Sequence, residues 1–164
     1  MKIKILIMDV DGTLTDGKIY MGPQGEAMKA FHCKDGLGIA QLLPELGIVP
    51  VIITGRRSQI VKNRAGELKI SHLFQGISDK LVVLDQIAME MGISRQQIAY
   101  IGDDLNDLTA MQVCGLTSCP ADAVEEIKQI ANYVCQHSGG DGAVREFIDY
   151  LRKYNAHQNP EAEG

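Results

Sequence analysis

Lys2-Ile3-Lys4-Ile5-Leu6-Ile7-Met8-Asp9-Val10-Asp11-Gly12-Thr13 is the stretch on which the fold turns. Residues 2–8 form a run of strand length, rich in isoleucine and leucine. Two acids and a glycine cannot continue a buried strand, so Asp9 and Asp11 stand at its carboxyl end. Further β-rich runs occupy residues 48–53 and 98–101, with shorter ones near Leu73, Leu116 and Tyr133. Helical patterns alternate with them. After Asp79, Leu81, Leu84, Ala88 and Met91 recur at three- and four-residue steps. A second helix runs from Ser58, an N-cap residue type, towards Leu68, and a third covers residues 142–154 with Val144, Phe147, Ile148 and Leu151 inward. Strand alternating with helix predicts an α/β fold with a doubly wound, mostly parallel, Rossmann-like sheet.

Between the first strand and the first helix, residues 18–21 and 28–33 flank the turn Gly22-Pro23-Gln24-Gly25, which reads as a β-hairpin insertion. It is too short for a cap domain, so the site it borders is either open or covered by a neighbouring subunit. The hairpin face carrying Ile19, Met21, Met28 and Phe31 is expected to be partly exposed in a monomer and to favour association. A chain of 164 residues at 45% apolar composition suits one domain, read as residues 1–154, followed by a polar, disordered tail over residues 155–164. The formal charge of −5 with scattered lysines and arginines argues against nucleic acid and anionic membranes as partners. No apolar run has membrane-spanning length, and no signal core follows Met1, so a soluble cytoplasmic protein is expected. Cys33, Cys114, Cys119 and Cys135 are too irregularly spaced for a zinc or redox site and are expected as packed core thiols.

In a parallel sheet the carboxyl ends of the strands share one edge, where ligands bind. Asp9 with Asp11, Thr54, Lys80, and Asp103 with Asp104 fall at or near that edge. Two acids two residues apart repel each other unless a cation or proton intervenes. Asp9 and Asp103 on neighbouring strands would make an all-oxygen site suited to Mg2+. A carboxylate oxygen of Asp9 then attacks phosphorus, and covalent capture divides the hydrolysis into two easier steps. Asp11 hands a proton to the leaving alcohol and takes one from the water that cleaves the acyl phosphate. Thr54 donates to a phosphoryl oxygen, and Lys80 supplies positive charge. Asp104 and Asp107 orient the metal's waters or Lys80. Singly, each has a plainer role: a strand-end acid as a cap, Thr54-Gly55 as a turn, Lys80 as a solvated lysine. Their joint occurrence in this order favours chemistry.

Asp9-Val10-Asp11-Gly12-Thr13, Ile53-Thr54-Gly55-Arg56, Lys80 and Gly102-Asp103-Asp104-Leu105-Asn106-Asp107 resemble the four motifs of the haloacid dehalogenase-like phosphatases. The resemblance implies a nucleophile at Asp9, a general acid/base at Asp11, phosphate ligands at Thr54 and Lys80, and Mg2+ held by Asp9, Asp103 and the main-chain carbonyl of Asp11. Thr13, Gly55, Arg56 and Arg64 are its substrate-binding candidates; Arg56 and Arg64 suit a sugar carboxylate because guanidinium grips carboxylates in a bidentate way. The hairpin, His32-Cys33-Lys34-Asp35-Gly36 and residues 138–146 are similar to the capless branch of that family. That branch hydrolyses 3-deoxy-manno-octulosonate 8-phosphate, in lipopolysaccharide synthesis, or 2-keto-3-deoxynononate 9-phosphate, a sialic-acid-type sugar phosphate. It implies a homotetramer joined through the hairpins. Pro120-Ala121-Asp122-Ala123 and Tyr133-Val134-Cys135 incline the reading to the nine-carbon acid, and Asp141 stands where the eight-carbon group is expected to carry a basic residue.

Two other classes compete. A phospho-receiver domain also combines acids, threonine and lysine on such a sheet, but there the lysine follows the acceptor acid, whereas Lys80 precedes Asp103. A non-catalytic assembly domain would use the hairpin alone and show no turnover.

Overall fold

The computed structural model describes residues 1–158. Its centre is β1 (Ile5–Met8), whose four residues are all buried. A strand apolar on both faces needs cover on both, and it has it. Leu6 and Met8 enter one core with Ile39, Leu43, Val61, Phe147, Ile148 and Leu151. Ile5 and Ile7 enter the other with Val83, Leu84, Ile87, Met111 and Ile127.

Six parallel strands run in the order β5-β4-β1-β6-β7-β8, with β4 at Val49–Thr54, β5 at His72–Gln75, β6 at Ile98–Ile101, β7 at Leu116–Cys119 and β8 at Tyr133–Val134. Met8 lies level with Ile52 of β4 and Ile101 of β6, so the residues that follow all three strands meet at one edge. Strand order reverses at β1, which makes this edge a crevice. The doubly wound α/β prediction therefore holds.

The helices cover the two faces. On the first lie α1 (Cys33–Leu37) and α2 (Leu43–Glu45), joined by a wider turn at Gly38–Leu42, together with α3 (Gln59–Glu67) and α7 (Ala143–His157). On the second lie α4 (Lys80–Glu90), α5 (Leu108–Met111) and α6 (Glu125–Ile130). Ser58 caps α3 as expected, its Oγ accepting from Val61 N at 3.3 Å. Helix α4 buries Lys80, Val83, Leu84, Ile87 and Ala88, while Leu81 is half-buried and Met91 exposed, so the inward face is rotated from the predicted one. The hairpin consists of β2 (Tyr20–Gly22) and β3 (Gly25–Met28), with a register shift at Tyr20 and Met21. Its second strand thus begins inside the predicted turn, because Gly25, at φ 108°, adopts a conformation that only glycine takes freely. Ile19, Tyr20, Met21 and Met28 are exposed, but Phe31 packs on the core beneath Arg64. No cap domain occurs among the described residues. Cys119 and Cys135 are buried thiols and Cys114 is half-buried, whereas Cys33 is exposed, a correction to the core reading. No helix among the described residues is long and apolar enough to cross a membrane.

The expected tail starts too early. Helix α7 continues through His157, and Asn155 is buried with Oδ1 accepting from Ile3 N at 2.8 Å and Nδ2 donating to Ile3 O at 3.0 Å. One side-chain amide satisfies both backbone groups of a residue just before β1. The rest of the predicted tail, residues 159–164, lies outside the described residues. Asn155→Ala would strand both groups of Ile3, at a cost of about 2 kcal/mol, which for a chain of this length lowers Tm by roughly 5 °C. Thermal melts of the variant and the parent check this.

Candidate active site

Asp9 follows β1 directly and is 4% exposed, so its charge is almost out of water. The chain then turns sharply through Val10–Leu14, with Gly12 at φ 98°. A Cβ on Gly12 would lie 1.9 Å from Asp103 Oδ2, so glycine is required where the β1 loop passes the carboxylate that follows β6. Opposite, a Cβ on Gly139 would lie 1.9 Å from Gly12 O, and Gly140 N donates to Thr13 O at 3.1 Å. The segment before α7 thus packs directly on the acid loop.

Behind Asp9 lies a buried cation. Lys80 opens α4 after the cap Asp79, which accepts from Leu81 N, and its ammonium donates to Asp9 Oδ1 and Asp107 Oδ1, both at 2.7 Å. Lys80 is 1% exposed and Asp107 fully buried. Asp107 also accepts from Tyr100 Oη at 2.8 Å and from Asp103 N at 3.0 Å. Asp104 caps the turn Leu105–Asp107, accepting from Leu105 N at 2.7 Å. Asp107 thus accepts from the Lys80 ammonium, while Asp104 shapes the loop.

Carboxylate oxygens of Asp9, Asp103 and Asp107 come within 4.8 Å of one another. Burial raises the pKa of Asp9 to about 6, helped by the Asp107 charge and opposed by Lys80. Burial, with the charges of Asp9 and Asp107, raises Asp103 to about 8. For Lys80, burial acts against the charged form, but Asp9 and Asp107 outweigh it and the pKa is raised. Tyr100 is pushed well above its ordinary value by burial and by the Asp107 charge, so it remains a phenol donor. Buried carboxyls this close together form a confined, all-oxygen set, which suits a hard divalent cation. Asp11 stands outside that set through its side chain, and the expectation for it concerns its main-chain carbonyl.

The cleft in front of Asp9 has a volume of about 410 Å³; Asp11, Thr54, Gly55, Arg56, Asp103 and Asp104 line it. Gly17, Ile19 and Asn106 complete the lining and were not anticipated. Two expected substrate residues lie elsewhere. Thr13 is fully buried, and its hydroxyl donates to Asp103 Oδ1 at 3.0 Å. Arg64 stacks over Phe31 at 5.4 Å and pairs with Glu67 at 2.9 Å, directed by α3 away from the cleft of its own chain. Asp141 is also outside, its carboxylate 3.9 Å from His32. The sequence reading missed Lys29, whose ammonium lies 2.5 Å from Asp11 Oδ1, and Glu26, which binds Lys29 and Ser58. The available signal was a Glu/Lys pair three residues apart in the hairpin.

The raised carboxyls fix a pH dependence. Their folded pKa values exceed the unfolded ones, so their stabilising contribution is full below about pH 4 and is lost as pH rises through 6 and 8. A divalent cation binds the ionised forms and competes with those protons, stabilising by mass action. The increase in Tm on adding Mg2+ is therefore expected to be larger at pH 8.5 than at pH 6. Paired melts with Mg2+ and with chelator check it; equal increases would mean that both carboxyls are already ionised at pH 6.

Comparison with known proteins agrees with this geometry. A family model described as haloacid dehalogenase-like hydrolase matches residues 60–148. The chain is 47% identical over 149 residues to the 3-deoxy-D-manno-octulosonate 8-phosphate phosphatase KdsC of Yersinia pestis, covering 91% of this chain and 79% of that protein. It is 45% identical, with the same coverage, to the Escherichia coli K12 protein of that name. The Moraxella catarrhalis 3-deoxy-D-manno-octulosonate 8-phosphate phosphatase, solved with a magnesium ion, a phosphate ion and KDO, superposes with a TM-score of 0.90 at 42% identity, over 94% of this chain and 88% of that one. On the matched family model and on relatives of this identity and extent, the chain belongs to the haloacid dehalogenase-like hydrolases.

Proposed function

We propose that the protein is a Mg2+-dependent phosphatase that hydrolyses 3-deoxy-D-manno-octulosonate 8-phosphate through a phospho-aspartate on Asp9. The observation that carries the reading is the position of Asp9: at the end of the central strand, one oxygen held by Lys80, facing a cleft shared with Asp11 and Thr54. The relatives reported above bear the eight-carbon name at 45–47% identity. They reverse the inclination to the nine-carbon acid drawn from residues 120–123 and 133–135.

Asp9, Asp103 and the main-chain carbonyl of Asp11 would hold Mg2+, with Asp107 within reach of the same carboxylates. When bound, the ion neutralises the acids and draws the phosphate dianion to them. In the first half-reaction an Asp9 carboxylate oxygen attacks phosphorus, the bond from phosphorus to the sugar oxygen breaks, and Asp11 gives that oxygen its proton. In the second, water attacks the same phosphorus and yields a proton to Asp11, and the Asp9 carboxylate is released with inorganic phosphate. The Thr54 hydroxyl and the Gly55 backbone orient the phosphoryl group. Lys80 holds one Asp9 oxygen so that the other is presented. Arg56, at the cleft wall, supplies the partner for the sugar carboxylate. The exposed apolar hairpin fits a homotetramer.

Asp9→Asn keeps the shape of the side chain but removes the nucleophile, and is expected to lower kcat by ~10⁴-fold or more with the fold retained. Retained turnover would overturn the covalent mechanism. Side-by-side phosphate release should give a higher kcat/KM for the eight-carbon 8-phosphate than for the nine-carbon 9-phosphate. The reverse order would restore the nine-carbon reading, and activity on neither, in folded and metal-loaded protein, would overturn the substrate class.

A further inference from the structure

We propose that Lys29 is the positioning residue of the proton-transfer step: the hairpin delivers a buried ammonium that fixes which oxygen of Asp11 carries the proton passed to the leaving group. This rests on the reading of Asp11 as general acid/base.

Lys29 directly follows β3, and its side chain is 1% exposed. Its Nζ lies 2.5 Å from Asp11 Oδ1 and 3.1 Å from Glu26 Oε2. Glu26 is itself anchored, for its Oε1 accepts from Ser58 Oγ, the cap of α3, at 2.5 Å, and Arg56 Nη2 lies 3.8 Å from its Oε2. The ammonium is therefore held between the hairpin and the start of α3 with little freedom to leave. Asp11 lines the cleft and Lys29 does not, so Lys29 meets Asp11 from behind rather than touching a ligand.

An ammonium has three donors and no acceptor. The Asp11 oxygen facing it is an acceptor whether Asp11 is ionised or not, so the proton of the acid form belongs on Oδ2. Without that contact the proton would divide between two oxygens of a rotating carboxyl. With it, Oδ2 gives its proton to the sugar oxygen as the bond from that oxygen to phosphorus breaks, and later takes a proton from the attacking water. A salt bridge that merely pinned the hairpin to the body would have no effect that depends on the leaving group.

Leaving groups separate the two roles. An alkyl phosphate needs its leaving oxygen protonated, whereas 4-nitrophenolate departs without a proton, and kcat/KM reports the steps up to that departure. For Lys29→Met and Lys29→Gln in the full-length, Mg2+-loaded enzyme, kcat/KM for 3-deoxy-D-manno-octulosonate 8-phosphate is expected to fall on the order of 10²-fold, and for 4-nitrophenyl phosphate less than about 5-fold. The ratio of the two is taken within one sample, so any misfolded fraction cancels. In an Asp11→Asn background the Lys29 variants should add no further selective loss. An equal loss on both substrates, or no loss, overturns the proposal. If Asp11→Asn alone is selective and the Lys29 variants are not, only the role of Lys29 falls. If Asp11→Asn is itself unselective, the acid/base reading falls and the proposal with it.

Discussion

Asp9, Asp11, Asp103 and Asp107 crowd the carboxyl ends of two neighbouring strands, and nearly everything distinctive about the molecule follows from holding these like charges together. Two buried ammonium groups do much of this. Lys80 lies between Asp9 and Asp107, and Lys29 between Asp11 and Glu26. Such pairs are poor sources of stability, because desolvation offsets most of the attraction. They are better understood as spacers that keep particular oxygens bonded and leave others free. The negative charge left where Asp9, Asp103 and Asp107 cluster remains for a cation.

The same crowding explains the backbone. Glycines at positions 12, 102 and 139 are each places where a Cβ would strike a carboxylate or the neighbouring main chain, so the loops close to distances that other residues forbid. Backbone packed this tightly has few alternative arrangements, which suits a site whose chemistry depends on fixed oxygens. The β1 strand makes this possible: paired on both sides and covered on both faces, it gives Asp9 an immobile base.

Much of this was legible in the chain. Unbroken apolar runs ending in acids, threonine or glycine gave away the strands and the functional edge together, since a parallel sheet puts such ends side by side. Residues 98–101 and the inward face of α7 match their predicted positions. What escaped was set by tertiary geometry. Arg64 was read from its residue type as a candidate for a sugar carboxylate, and within its own chain it stacks over Phe31. Thr13 carries a motif's signature yet turns its hydroxyl to a neighbouring carboxylate. Lys29 was passed over because lysine in a short hairpin is ordinarily solvated, and its partners are Asp11 and Glu26, the latter anchored by Ser58. Asn155 looked like the start of a polar tail because its partner, Ile3, lies at the opposite end of the sequence.

That last contact, with the seating of Gly139 and Gly140 on the acid loop, has a consequence for biosynthesis. Of the six strands of the described sheet, the one made first lies inside it, and it waits for β4, then β6, and finally for α7 to close over it. A nascent chain that stops short of α7 would leave one apolar face of the sheet uncovered and the acid loop without the segment that packs on it. Maturation of the centre is thus postponed until α7 has been made, and products that terminate before it would be substrates for chaperones and proteases rather than partially active enzymes.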